Sequence, residues 1–466
     1  MPDDVVKLAF SAGTLVLEGV SRQGLADIFG EGGWVWDRRV EAWRCDAIAY
    51  AAASDRLRQS GSRWLDGVPA WQPVRWPRLA LHPLREEQQA AVAAWTAARH
   101  GTVVMPTGTG KTEVALAIMA QTALATLVVA PVRDLMYQWQ RRILDGLGYD
   151  AGIIGDNVFN VHPVSVTTYD SACIHMERLG NRFGLVVFDE CHHLPGAIRR
   201  DAARMSAAPM RLGLTATLQR SDGRHADLAE LIGPTLFEMP VSAAAGRSLA
   251  DYHVVRIPVH LSAEEESRYR ELSRQLRDYM VDRRKTDPHY DWEDLCAESG
   301  KTPEARRAMR AYFAKKAIED RAEEKLRVLE DLFQLHVGEP CLVFAGSNAM
   351  ARDVSRRFLV PCLLSHCGKK ERLDVLRGLE DGTYPALVAN RVLDEGVDLP
   401  EVKVAVVLGG TASSRQAKQR LGRVLRKSGN AKAVLYEVVS AGTNEEKRSR
   451  QRRKSDAYQG TRHRRL

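Results

Sequence analysis

The stretch Met105-Pro106-Thr107-Gly108-Thr109-Gly110-Lys111-Thr112 constrains this chain more than any other. It follows a short apolar run, residues 101–104, and precedes a helix-periodic segment, residues 114–124, so its glycines fall on a strand-to-helix turn. Backbone N–H groups in such a turn can point inward around a phosphate, and the dipole of the following helix favours negative charge. Lys111 adds a point charge and the Thr112 hydroxyl suits Mg²⁺, so residues 107–112 are a candidate site for a nucleotide and its magnesium ion. The strict motif places a glycine where this chain has Met105, and a glycine turn between strand and helix is also ordinary structure. The loop's partners therefore decide.

Those partners begin with the sheet the loop needs. Between residues 84 and 241 apolar runs at 102–105, 126–130, 164–168, 185–188 and 211–215 alternate with helical periodicity, as in Leu135, Trp139, Ile143 and Leu147. Near-continuous apolar strands separated by helices predict a parallel sheet covered on both faces, with ligands at the carboxyl ends of its strands. A polar region rich in Glu and Arg, residues 262–321, reads as a helical insertion. The alternation then resumes, with strands expected at 341–345, 362–364, 386–389, 404–408 and 434–439. The second lobe has no phosphate loop, so one nucleotide site in a cleft between two lobes is expected.

Residues 1–78 read as a small separate domain that opens with a hairpin around Ser11-Ala12-Gly13. Six of the nine tryptophans fall there (34, 36, 43, 64, 71 and 76). They suit either stacking on unpaired bases or the core of a small domain. At the other end, residues 447–466 carry nine Lys or Arg and one acid, Asp456, which matches the +8 of the whole chain. Such a tail suits a polyanion or is merely solvated. The expected boundaries are thus 1–78, 79–242, 243–322, 323–441 and a basic tail at 442–466.

With 466 residues, 45% hydrophobic and 27% charged, the chain is that of an ordinary globular protein of several domains. No apolar run approaches the roughly 20 residues that span a bilayer, so no membrane partner is expected. The amino terminus lacks a basic-then-apolar pattern, and the seven cysteines lack paired spacing. A cytoplasmic, prokaryotic protein with reduced thiols is expected.

Chemistry concentrates where the strand at 185–188 runs into Asp189-Glu190-Cys191-His192-His193. A buried strand ending on two carboxylates needs a cation, because unpaired buried charge is costly. Asp189 is the candidate for Mg²⁺ and Glu190 for orienting and deprotonating a water. The hydroxyls of Thr215 and Thr217 suit a sensor of that pair. In the second lobe Gln419, Arg423 and Arg426 lie on one helical stretch, and two guanidiniums there suit charge developing on a γ-phosphate. Gly396 and Asp398, after another strand, also face the expected cleft.

In order along the chain stand Leu84 to Gln88, the phosphate loop, Ala130 to Arg133, Thr167 to Asp170, Asp189 to His193, Leu214 to Thr217, Val343 to Gly346, Asp394 to Asp398 and Gln419 to Arg426. This set resembles the superfamily 2 helicases. The small amino-terminal domain, the helical insertion and residues 220–225 narrow the resemblance to the XPB family in its short archaeal and bacterial form.

The resemblance implies an α/β fold: two RecA-like parallel-sheet lobes, a helical thumb-like insertion and a small α+β amino-terminal domain related to damage recognition. It implies an ATP-dependent 3′-to-5′ DNA helicase or translocase in DNA repair, with Mg²⁺ as cofactor. Single-stranded, duplex and forked DNA would be its partners, with a partner nuclease in some family members. Arg85 and Gln88 would contact adenine, Thr107, Gly108, Thr109, Gly110, Lys111 and Thr112 the phosphates, and Arg133, Thr168 and Tyr169 the DNA. Residues 343–347 of the second lobe would grip the same DNA strand. The family's strand-separating loop, usually Arg-Glu-Asp, is Arg220-Ser221-Asp222 here. That departure leaves room for a duplex translocase that remodels protein–DNA complexes without separating strands. An ATP-gated DNA-binding switch with little turnover is the third reading.

Overall fold

Ala12 and Gly13 both take positive φ, +49° and +75°, and so fold β1 (Val6–Ser11) straight back on β2 (Thr14–Glu18) as a two-residue hairpin. With β3 (Val35–Asp37), β4 (Ala42–Asp46) and β5 (Trp64–Gly67) they form a sheet of order β3-β4-β2-β1-β5, antiparallel except that β5 runs parallel to β1. Leu8, Leu15, Leu17 and Leu57 are its buried core. Trp34, Trp43, Trp64 and Trp71 pack against that core, so these tryptophans act in folding, while Trp36 stays 43% exposed.

The computed structural model describes residues 5–30, 32–218, 223–240, 243, 252–364, 366–390, 402–409 and 433–453. Contacts divide the chain into two compact units, Met1–Pro240 and Val241–Leu466. Within the first, backbone and side-chain contacts fasten the small sheet to the remainder of the unit. Asn181 Nδ2 donates to Val68 O at 2.9 Å, Ala70 N to Asn181 O at 3.0 Å, and Ala207 shares the small core.

The rest of that unit is an eight-stranded sheet. Its strands are β6 (His100–Val104), β7 (Thr126–Ala130), β8 (Gly152–Gly155), β9 (Val158–Phe159), β10 (Val164–Thr168), β11 (Leu185–Asp189), β12 (Met210–Thr215) and β13 (Thr235–Glu238). The order is β13-β6-β12-β11-β7-β10-β8-β9, and only β9 is antiparallel to its neighbour. The central strands are almost wholly buried, as a parallel sheet with covered faces requires. Periodicity does not anticipate the edge strands β8, β9 and β13, which are short.

The second unit holds β14 (Tyr252–Val259), β15 (Cys341–Phe344), β16 (Cys362–Leu363), β17 (Ala386–Ala389), β18 (Val404–Val407) and β19 (Ala433–Ser440). All are parallel, in the order β14-β19-β18-β15-β17-β16. Residues expected as linker thus supply an edge strand, paired with β19 along its whole length. Helices Ala263–Thr286, Trp292–Ser299 and Pro303–Arg321 form the insertion, the first started by a Ser262–Glu265 capping box. Among the described residues no helix is long and apolar enough to cross a membrane.

The segment expected as a basic tail begins differently. Residues Asn444–Arg452 form a helix whose Glu445, Ser449 and Arg452 are buried. Lys325 Nζ, itself buried, donates to Glu445 Oε2 at 2.7 Å and to the carbonyls of Glu319 and Leu408 at 2.8 Å. Arg452 and Ser449 both bond Glu437 on β19. Charge composition alone hides this, because the buried face holds polar residues that find partners only in the fold.

Candidate active site

The phosphate loop leaves the carboxyl end of β6. Gly108 and Gly110 take φ of +87° and +84°, which L side chains rarely adopt. A Cβ on Gly110 would also collide with Gln88 Nε2, so glycine is required there twice over. Thr109 is fully buried and its Oγ1 donates to Pro106 O at 2.7 Å, closing the turn. Thr107 Oγ1 is buried with no hydrogen-bond partner among the described residues, as an atom that meets a ligand would be. Lys111 and Thr112 open the helix Lys111–Thr122, whose amino end faces the loop.

Gln88 is 3% exposed, and both ends of its amide are engaged within the fold. Its Oε1 accepts from Arg85 N at 2.9 Å and its Nε2 donates to Thr109 O at 2.9 Å. Gln88 thus braces the phosphate loop against the helix Glu86–Ala98.

Asp189 and Glu190 arrive together at the end of β11. Asp189 is held from two sides: Trp139 Nε1 donates to Oδ2 at 2.8 Å and Glu190 N to Oδ1 at 3.0 Å. Burial, with the Glu190 charge adding to it, pushes the Asp189 carboxyl up to about 6. Glu190 sits at φ +45°, a conformation a non-glycine residue adopts at a cost of order 1–3 kcal/mol. That turn carries its carboxylate to Lys111, with Nζ 3.8 Å from Oε1, while Nζ also bonds Met105 O at 3.3 Å.

His192 completes the cluster. It is fully buried, with Nδ1 3.0 Å from Thr215 Oγ1 and 3.4 Å from Glu190 Oε2. Thr215 Oγ1 donates its own proton to Thr217 O at 2.8 Å, so it accepts from His192, whose proton is on Nδ1. The threonine pair and the carboxylate pair are thus joined through this imidazole. Neither His192 nor Trp139 stood out in the sequence as a site residue. Trp139 reads there as one more apolar position on its helix.

Tyr169 corrects an expectation. It is fully buried, its ring stacks on Phe188, and its hydroxyl donates to Asp189 O at 2.9 Å. It anchors the carboxylate strand and is not exposed to DNA. Thr168 caps the helix Tyr169–Leu179 by accepting from Ser171 N at 3.3 Å. Arg133, the first residue of the helix Arg133–Leu147, is exposed and pairs with Asp156 at 2.8 Å. Gln419, Arg423, Arg426, Gly396, Asp398, Arg220, Ser221 and Asp222 lie outside the described residues.

Asp189, Glu190 and Lys111 converge beside the loop, an arrangement that a phosphorylated ligand with a cation would fit. Comparison with known proteins narrows it. A DNA 3′-5′ translocase XPB2 of Sulfurisphaera tokodaii is 40% identical over 371 residues, covering 79% of this chain and 84% of that protein. The chain belongs to the XPB family of superfamily 2 DNA helicases. It is accordingly an ATP-dependent enzyme of that class. Residues 8–68 match the Xeroderma pigmentosum group B helicase damage recognition domain, 81–220 the res subunit of type III restriction enzymes, and 324–428 the helicase conserved C-terminal domain.

Further XPB relatives are more distant. The DNA 3′-5′ helicases XPB of Kineococcus radiotolerans and Mycobacterium tuberculosis are 31% and 28% identical over 81% of this chain, which spans only 63% and 64% of their lengths. In fold, the chain resembles the helicase domain of Pyrococcus furiosus Hef, with a TM-score of 0.54 and 17% identity over 78% of this chain and 97% of that one.

Proposed function

We propose that this XPB-family chain couples ATP hydrolysis to 3′-to-5′ movement along DNA and to opening of the duplex, in DNA repair. The observation that carries the reading is the convergence of Lys111, Asp189 and Glu190 on one glycine loop, in a chain similar to named 3′-5′ translocases and helicases. The phosphates of ATP would lie in residues 107–112, and Mg²⁺ would be held by the Thr112 hydroxyl and the Asp189 carboxylate. The donor set fits: a hydroxyl at the start of a helix and a buried carboxylate held in place by Trp139. The bound cation supplies positive charge to the transferring phosphoryl group.

Glu190 takes the proton of the attacking water as its oxygen bonds the γ-phosphorus and the bond to ADP breaks. Lys111 moves from Met105 O to phosphate oxygen. Arg423 and Arg426 are assigned to offset the charge that develops, and Gln419, Gly396 and Asp398 to the same nucleotide. Arg133, Thr168, residues 343–347 and Arg220 to Asp222 are assigned to DNA, and residues 1–78 to reading of its damage.

A second reading has its own support. Ser221 stands where the family usually carries a glutamate, which favours a duplex translocase without strand separation. ATPase rates with no nucleic acid, single-stranded DNA, duplex DNA and RNA, paired with strand displacement on 3′-tailed and 5′-tailed forks, decide between them. Stimulation by DNA with displacement of 3′-tailed forks, lost in Glu190→Gln, supports the helicase. Stimulation without displacement selects the translocase. An ATP-gated switch would keep its DNA response in Glu190→Gln, and an ATPase indifferent to every nucleic acid rejects both motor readings.

A further inference from the structure

Beyond the carboxyl ends of β14 and β19, the second unit holds a cavity of about 540 Å³ at the foot of the insertion. Arg270, Arg274 and Arg277 line it from the helix Ala263–Thr286, and His260, at the end of β14, faces them. Spacings of four and three residues bring the three arginines to one helix face. Glu266 is the one acid of the lining, and it already pairs with Arg270.

The remaining positive charge has little to hold it. Arg277 meets only exposed Asp278, at 3.4 Å, and neither Arg274 nor His260 makes a hydrogen bond or ion pair among the described residues. Ser273 Oγ, also in the lining, is buried and has no hydrogen-bond partner among the described residues. Like charges on one helix face repel, and a buried hydroxyl without a partner costs free energy. Both costs fall when an anion with several acceptor oxygens enters.

The cavity floor is fixed. Tyr269 OH donates to Glu319 Oε1 at 2.7 Å and accepts from Asn444 N at 3.0 Å, which ties the arginine helix to the segment after β19. Parallel sheets bind ligands at the carboxyl ends of their strands, where this cavity lies. Two to three strand spacings, roughly 10–14 Å, separate it from the end of β15, where residues 343–347 are assigned to DNA.

We infer that this cavity is a phosphate-binding site, separate from the phosphate loop, and that it takes a backbone phosphate of DNA. Guanidinium forks match the oxygens of a phosphate, and Ser273 supplies a neutral donor. The inference rests on the DNA-motor reading and adds to it a contact that fixes the insertion to the strand.

The test uses the full chain and the double variant Arg274→Ala/Arg277→Ala. DNA affinity is measured by fluorescence anisotropy from about 50 to 200 mM salt, on single-stranded and duplex DNA. The slope of log K against log salt is expected to become shallower by about 0.7–1.8, the loss of one or two phosphate contacts, equally for different sequences. ATPase without DNA and the thermal unfolding midpoint should match wild type, and the double lysine variant should recover most of the slope. A double-alanine slope equal to wild type, in a wild type that binds DNA, overturns the site for DNA. A wild type that does not bind DNA overturns the motor reading itself. A second arm uses inorganic phosphate against chloride at equal ionic strength. Protection of wild type but not the double variant against heat, with the DNA slope unchanged, assigns the cavity to a free phosphate ligand instead, and equal protection rejects it altogether.

Discussion

Lys111 Nζ stands 3.8 Å from Glu190 Oε1, and the same nitrogen bonds the carbonyl of Met105. The lysine assigned to phosphate and the carboxylate assigned to water thus hold each other. Glu190→Gln weakens that grip and removes the base. Steady-state ATPase should show kcat lower by about 10²–10⁴-fold, with KM for ATP little changed. Lys111→Ala should instead raise KM as well.

Asp189 offers a test by titration. Its carboxyl, ordinarily at 3.8, is pushed up to about 6 by burial first and by Glu190 second, with Lys111 opposing. A raised value in the folded state means this group adds stability below the ordinary value and loses it as pH rises through the folded one. Carboxyl ¹³C titration of the nucleotide-free protein should place Asp189 lower in Glu190→Gln and higher in Lys111→Met. A titration that ignores both substitutions would refute the coupling.

Tyr169 and Arg133 should separate cleanly. Tyr169→Phe leaves the Asp189 carbonyl without its donor and should cost about 1–3 kcal/mol in urea unfolding, with no change in the salt dependence of DNA binding. Arg133→Ala should weaken DNA binding and leave stability near wild type, because its pair with Asp156 is exposed.

The buried Lys325–Glu445 pair fastens the last described helix to the second sheet. Lys325→Met strands a buried carboxylate and should destabilise that unit by about 3–5 kcal/mol, read by urea unfolding. Lys325→Met with Glu445→Leu should recover part of it. Ending the chain before Asn444 should be far more damaging than ending it after Arg453.

Thiol reactivity should follow burial. Cys296 is exposed and should react first with a disulfide reagent at about pH 8. Cys341, buried and pushed up to about 12, should react only on unfolding. Early labelling of Cys341 would contradict the packing of β15.

The sequence by itself determined the phosphate loop, the central strands of both sheets and the carboxylate pair, because each is local. Glycine spacing, apolar runs and adjacent acids need no partner far along the chain to be legible. Tertiary structure decided the rest through contacts between distant residues. Trp139 reaches Asp189 across 50 positions and His192 reaches Thr215 across 23, so neither shows in a local pattern. Tyr169 looks available for DNA until the sheet buries it under Asp189, and Gln88 looks free until the loop folds over its amide. The strand β14 finds its partner in β19 only after the whole second lobe has intervened. The helix after β19 reads as a charged tail because ion pairs inside a fold have the same composition as charges in water.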